Sequence, residues 1–437
     1  MKKPTRKRIL LFNPPGKKRY LRDYWDSTVS KAGYYWPPID LLILSGILKS
    51  RYDVFVLDAL VERKSVDKCS DMISVISPDI VIFMSSVLSR KEDFEFAARL
   101  KKEYDSLIII GCGEVFLEDT QGLLKEHPFI DAAILDFTNS SIPDFIEDLS
   151  VENNVMSFNE NGYVRDLEYP IPLHGKFPLH KYSYPYNTYK PFTSVLSSYG
   201  CPYKCHFCNS GNLGFKLRNI DNVIEELKYV GSMGIKQVFF ADMTFAAKRS
   251  HAMDLCRKIS KNNIRLRWNC YSRADVIDEE LLVCMKRAGC YLIQFGVENF
   301  DESFLKKHGK SISVSRTLET FDLLKKHGLL AGAHFLFGLP GESSGSIKDS
   351  IEFAKSMNPD YVSFNIFRPR KNTFLSSEEK TLGADKIFKS IRNGYLDFYL
   401  RPRYLFERIS RISTLYELKN IIYNGVILCR NVIMGTM

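Results

Sequence analysis

The chain has 437 residues, 45% hydrophobic and 26% charged, with a formal net charge of +10. Those proportions exclude a disordered or low-complexity chain and indicate packed cores in about two or three domains. No stretch approaches the ~18 apolar residues of a membrane span. The excess charge bears first on solubility, then on an acidic substrate or an anionic lipid surface. Beyond the two ends, no basic run is interleaved with aromatics, so no nucleic-acid partner is expected.

The basic opening "MKKPTRKR" precedes only four apolar residues, Ile9 to Phe12, before Asn13-Pro14-Pro15. That is too short for a signal-peptide core, and a cytoplasmic location is expected. Cysteines stay reduced there, so a dense cysteine cluster favours metal over disulfide.

Up to residue 150, short aliphatic runs alternate with helical patterns. The runs Ile9–Phe12, Val54–Leu57, Ile80–Met84, Leu107–Ile110 and Ala132–Leu135 read as parallel strands buried on both faces. Helices are predicted over Ile39–Lys49, Val66–Ile76, Lys91–Glu103, Asp119–Lys125 and Ile142–Leu149. The alternation predicts an α/β domain with a doubly wound, flavodoxin-like sheet, in which a ligand lies beyond the C-terminal strand ends. The residues there are Asn13 and Pro14, Ser85 and Ser86, Gly111 and Gly113, and Asp136. Small, turn-forming residues end most such strands, so they also read as plain structure. No G-x-G-x-x-G follows the first strand, which argues against a dinucleotide. Residues 151–190 are rich in Tyr, Pro and Asn and read as a linker draped over the surface. Asn159, Asn161 and Gly162 suggest a hairpin turn within it.

The next domain, residues 191–375, opens on "SSYGCPYKCHFCNSG". Cys201, Cys205 and Cys208 gather three of the ten cysteines within eight residues. A structural zinc site takes four ligands. His206 is adjacent to Cys205, and no matched C-x-x-C follows. Soft thiolates also suit iron–sulfur clusters. A cubane cluster normally takes four, so three would leave one iron open to a substrate or cofactor. Downstream, strand and helix patterns alternate about every 30 residues, as in β/α barrel units. Roughly six units fit, fewer than a full barrel needs. Asp242, Arg273, Glu298 and the turn containing Gly338, Pro340 and Gly341 fall at C-terminal strand ends, where barrel chemistry lies. Each also has a structural reading. Asp242 could be a helix N-cap, Arg273 a partner of Asp275 or Asp278, Glu298 a hydrogen-bonding brace, and the glycine turn a simple reversal.

With Phe207 before the last cysteine, the C-x3-C-x2-C spacing resembles the radical S-adenosylmethionine (SAM) superfamily. "IKQVFFADMTF", "YLIQFGVENF" and "AHFLFGLPGES" are similar to its later strands. The resemblance implies a partial (β/α)6 barrel. Cys201, Cys205 and Cys208 would hold a [4Fe–4S] cluster, and Asp242, Arg273, Glu298, Gly338, Pro340 and Gly341 would bind SAM. The cluster would reduce SAM to a 5′-deoxyadenosyl radical. The preceding domain, with "NPP" and "WPPIDLLILSGILK", resembles the cobalamin-binding subclass. That implies cobalamin beside Asn13, Pro14, Ser85, Ser86, Gly111 and Gly113, and methyl transfer to an unactivated carbon. D-x-H-x-x-G is absent, and "DFTNSS" stands where a Gly-Glu pair is usual. Radical cyclisation or rearrangement without cobalamin, and a cobalamin or metal sensor, are the alternatives. An external electron donor is implied.

Residues 376–437 carry Leu405, Ile409, Ile412, Leu415, Leu418 and Ile422 at helical spacing, interleaved with basic residues. This predicts a basic amphipathic helix, packed on the barrel or touching a membrane surface and so suited to a lipid or isoprenoid substrate.

Overall fold

A computed structural model describes residues 6–24, 26–150, 154–158, 163–371, 373–375 and 382–434. The hairpin turn expected at Asn159, Asn161 and Gly162 lies outside the described residues.

The five aliphatic runs form the strands Arg8–Asn13, Asp53–Asp58, Ile80–Met84, Ile108–Cys112 and Ala132–Ile134. A short strand, Val155–Met156, adds a sixth. Every pairing is parallel. Asp53–Asp58 stands outside Arg8–Asn13 and the others follow in sequence, which is the doubly wound, flavodoxin-like order. All five residues of Ile80–Met84 are buried, because helices cover both faces. The hairpin Tyr20–Asp23 with Asp26–Val29 was not foreseen from the sequence.

Six further parallel strands pair in sequence order: Phe192–Val195, Gln237–Phe240, Arg267–Ser272, Cys290–Glu298, Leu330–Phe337 and Tyr361–Ile366. They make the partial barrel. Helix starts are fixed locally, as where Asp278 accepts from the Leu281 amide and Ser313 from the Arg316 amide.

The segment expected to be a surface linker is partly built into the interior. Tyr163–Leu167 joins Phe215–Arg218 and Ser198–Gly200 in a three-stranded sheet. Tyr169, Phe177, Tyr182 and Tyr184 are buried in one apolar core that runs through both domains. Aromatic rings contribute large apolar area, and two of these hydroxyls find acceptors. Tyr182 donates to Asp58 at 2.7 Å and Tyr184 to Gln294 at 2.9 Å.

The tail forms three helices, Ala384–Tyr399, Pro402–Ser410 and Leu415–Met434. Its amphipathicity is inverted relative to the expected packing. Leu405, Ile409, Leu415, Leu418 and Ile422 are exposed, whereas Arg408, Glu417, Asn420 and Asn424 face inward. The surface beneath explains this. It presents backbone groups that need hydrogen-bond partners. Asn420 donates to Tyr184 O at 2.8 Å, Asn424 Oδ1 accepts from the Gly33 amide at 3.1 Å, and Arg408 pairs with Glu417 at 2.7 Å. No helix among the described residues is long and apolar enough to cross a membrane.

Candidate functional site: a thiol-lined cavity in the barrel

The cysteine loop follows strand Ser198–Gly200. Gly200 has φ +73°, and a Cβ there would lie 2.0 Å from Gly214 O, so the loop can start only from glycine. The His206 amide donates to His308 O at 3.0 Å and the Cys208 amide to Cys205 O at 3.0 Å. Cys201, Cys205 and Cys208 are free, half-buried thiols lining one cavity of about 350 Å³. Three thiolates facing one space can hold a cubane cluster and leave one iron open. Burial pushes the Cys201 thiol up to about 11, a cost that thiolate ligation to iron would offset.

Arg273 reaches this loop from the end of Arg267–Ser272. It forks onto Asp275 at 2.8 and 3.0 Å, stacks 3.9 Å from the Tyr203 ring centroid, and its Nη1 lies 3.9 Å from Cys205 Sγ. The pairing with Asp275 and a place in the cavity wall therefore coexist. Glu298 ends Cys290–Glu298 at φ +65°, a conformation costly for a residue with a side chain. Its carboxylate accepts from Lys310 Nζ at 2.7 Å, and Lys310 also donates to Gly296 O at 2.7 Å. Arg273, Glu298 and Lys310 all line the cavity.

Asp242 does not line it. It is fully buried and accepts from the Ser197 amide at 2.7 Å, from the Ser197 hydroxyl, and from Ser198 Oγ at 3.1 Å. It braces the strand that leads into the cysteine loop, and burial pushes its carboxyl up to about 6. Gly338, Pro340 and Gly341 form the turn after Leu330–Phe337, with φ +89° at Gly338 and +85° at Gly341. Glu342 accepts from the Gly338 amide and from Asn299 at 2.8 Å, and a His308 ring nitrogen lies 3.1 Å from Pro340 O. These turn residues stand beside the thiol cavity, outside its wall.

Lys310, Tyr203, Tyr271, His334 and Lys31 were missed from the sequence. His334 and Gln294 were findable, because alternation along their strands turns both toward the barrel interior. Burial first, then Lys31 and Lys310, holds His334 down at about 3, so it is a neutral wall residue.

The strand ends of the first domain differ from the expected ligand crevice. Arg22, from the hairpin, is buried there. It pairs with Asp93 at 2.6 Å and donates to Asn13 Oδ1 at 2.8 Å and Pro14 O at 2.9 Å. Ser85 donates to Asp93, Ser86 bonds Ser89, and Asp136 pairs with Lys216 of the three-stranded sheet. A Cβ on Gly111 would meet the Phe116 ring at 2.0 Å, and one on Gly113 would meet Ser85 O at 2.4 Å. These glycines make room for the chain itself. Asn13, Pro14, Ser85, Ser86, Gly111 and Gly113 are thus brought together, but they pack against this chain's own groups.

Open space lies one layer further out. A cavity of about 1100 Å³ is bounded by the first domain, the barrel and the last helix. It shares Thr28, Lys31, Phe207, Cys208 and Asn365 with the thiol cavity, so the two adjoin.

Residues 195–354 match the Radical SAM superfamily. This region is a radical SAM domain. An uncharacterized methyltransferase of Pyrococcus horikoshii is 28% identical over 92% of this chain and 94% of its own length. An anaerobic magnesium-protoporphyrin IX monomethyl ester cyclase of Rubrivivax gelatinosus is 24% identical over 76% of this chain and 64% of its own. The methyltransferase TsrM of Kitasatospora setae, solved with cobalamin and a [4Fe-4S] cluster bound, is similar with TM-score 0.67. The match covers 85% of this chain and 77% of that one at 17% identity, a likeness of fold across both domains. A radical SAM domain uses a [4Fe–4S] cluster and SAM. Cys201, Cys205 and Cys208, lining one cavity, fit such a cluster, and the charged pair Glu298–Lys310 with Arg273 offers polar partners for a zwitterion beside it.

Proposed function

We propose that this chain is a cytoplasmic, cobalamin-dependent radical SAM methyltransferase acting on an unactivated carbon of a small, lipid-like molecule. The observation that carries the reading is the pair of adjoining cavities. One is lined by the three thiols, and the larger one lies between the domains and opens beside Cys208. When bound, the cluster and SAM supply a carbon radical and cobalamin supplies a methyl group. The chain's own residues position and shield. Cys201, Cys205 and Cys208 would hold the cluster. Arg273, fixed by Asp275, supports the loop and places a cation beside Cys205. Glu298 presents a carboxylate to an amino group, and Lys310 orients it. Asp242 keeps Ser197 and Ser198 in place. Trp36, Tyr184, Tyr271 and His334 wall the thiol cavity with rings and limit the water that could quench a radical.

The filled strand ends favour a second reading, radical cyclisation or rearrangement without cobalamin. Anaerobic cluster reconstitution with SAM, with and without cobalamin, separates the two. Methyl transfer yields both 5′-deoxyadenosine and S-adenosylhomocysteine, the latter only with cobalamin. Cyclisation yields 5′-deoxyadenosine alone.

The tail supports a lipid source for the substrate. Eleven of the nineteen exposed large hydrophobic residues among those described lie between Leu400 and Met434. Arg403, Arg411, Lys419 and Arg430 are interspersed with them, the pattern of a helix resting on an anionic bilayer. In flotation with phosphatidylglycerol vesicles, Ile422→Glu with Val426→Glu is expected to abolish co-migration. Unchanged co-migration would refute this contact.

A further inference from the structure

The interdomain cavity has a cationic rim and a hydrocarbon interior. Lys18, Arg63, Arg368 and Arg430 are exposed at its edge, with Arg19 and Lys31 deeper, and among the described residues no aspartate or glutamate lines it. Arg370, also in the lining, is already paired with Glu114. The deeper cations are aimed by neutral groups. Arg19 donates to Ala32 O at 3.1 Å, and Lys31 donates to Phe364 O at 2.6 Å and Asn365 Oδ1 at 2.5 Å. Such bonds orient a side chain without neutralising it. Arg63 is held at φ +53°, in the left-handed region, at the end of the short helix Ala59–Glu62. Between these cations lie Leu88, Phe207, Phe364, Phe367, Ile391 and Ile427. Gathering like charge around a low-dielectric space is unfavourable until an anion enters it. Guanidinium groups hold phosphate-type anions best, through paired charge-assisted hydrogen bonds. A corrinoid carries one phosphodiester among neutral amides and leaves most of these cations unanswered.

We propose that this cavity binds an amphiphile with a phosphate-type head on the cationic rim and a hydrocarbon body inside, and that such molecules are the substrate class. The assignment to substrate rests on the radical-enzyme reading above; the binding itself does not. The test uses the full chain without cluster or SAM, titrated calorimetrically with dodecyl phosphate, dodecanol and inorganic phosphate. Dodecyl phosphate is expected to bind at least tenfold more tightly than either of the others. Arg63→Gln with Arg368→Gln is expected to weaken it at least tenfold, leaving dodecanol affinity and melting temperature unchanged. Equal affinity for dodecanol, or an unaltered double variant, would overturn the proposal. So would loss of hydroxocobalamin affinity in that variant together with displacement of dodecyl phosphate by hydroxocobalamin, because the cations would then serve the corrinoid. Vesicles of phosphatidylcholine and phosphatidic acid distinguish the sources. Retention that soluble dodecyl phosphate blocks identifies a lipid head group, whereas soluble binding without retention identifies a free amphiphile, and both support the shared chemistry. Formation of 5′-deoxyadenosine by the reconstituted enzyme is read separately, so failure of either result leaves the other standing.

Discussion

The two six-stranded parallel sheets invite comparison, because they place similar features at their C-terminal strand ends and use them oppositely. In the barrel the ends open onto the thiol cavity, with Arg273, Glu298 and Lys310 in its wall. In the first domain Arg22 and Asp93 fill the corresponding space and consume the polar groups around it. A strand end is where an α/β sheet can host a ligand. Whether it does depends on what the rest of the chain inserts there.

Breaking the open side should have the largest effect. Cys205→Ala is expected to abolish 5′-deoxyadenosine formation, with far-UV circular dichroism and melting temperature close to wild type. Breaking the closed side should cost stability. Arg22→Ala leaves the Asp93 carboxyl buried without its cationic partner, and about 3–5 kcal/mol should be lost in urea unfolding. Replacing both, Arg22→Met with Asp93→Leu, should recover most of that loss, because a buried ion pair is worth little more than apolar packing of similar volume. If the double variant also gains cobalamin affinity, the ion pair is what keeps the crevice shut. Glu298→Gln should raise the Kd for SAM by about tenfold at unchanged iron content, about 1.4 kcal/mol. The gentlest probe is pH. Burial pushes Glu342, which holds the Gly338 turn, up to about 7. The folded state then binds more protons than the unfolded one between the ordinary glutamate range and pH 7, so stability should fall as pH rises through that window. Glu342→Gln should flatten this part of the profile by about 2 kcal/mol or less.

Much of this architecture was legible because its signals are local. Ile80–Met84 reads as a strand from five apolar residues in a row, and three cysteines in eight residues mark their own loop. The rest depends on partners far away in sequence. Arg22 meets Asp93 across 71 residues, and nothing near either predicts the meeting. Tyr182 and Tyr184 read as linker because their segment lacks periodicity, yet Asp58 and Gln294 give their hydroxyls acceptors inside. Periodicity found the last helix but left its orientation open, because the surface beneath it asks for hydrogen bonds rather than hydrocarbon. Lys310 lies twelve residues past Glu298, beyond a short helix, with no pattern linking the two.

The last helix also sets an order of events during synthesis. Asn424 bonds Gly33 and Asn431 bonds Lys31 O across 391 and 400 residues. A chain still emerging from the ribosome has its cysteine loop and both sheets before it has this wall.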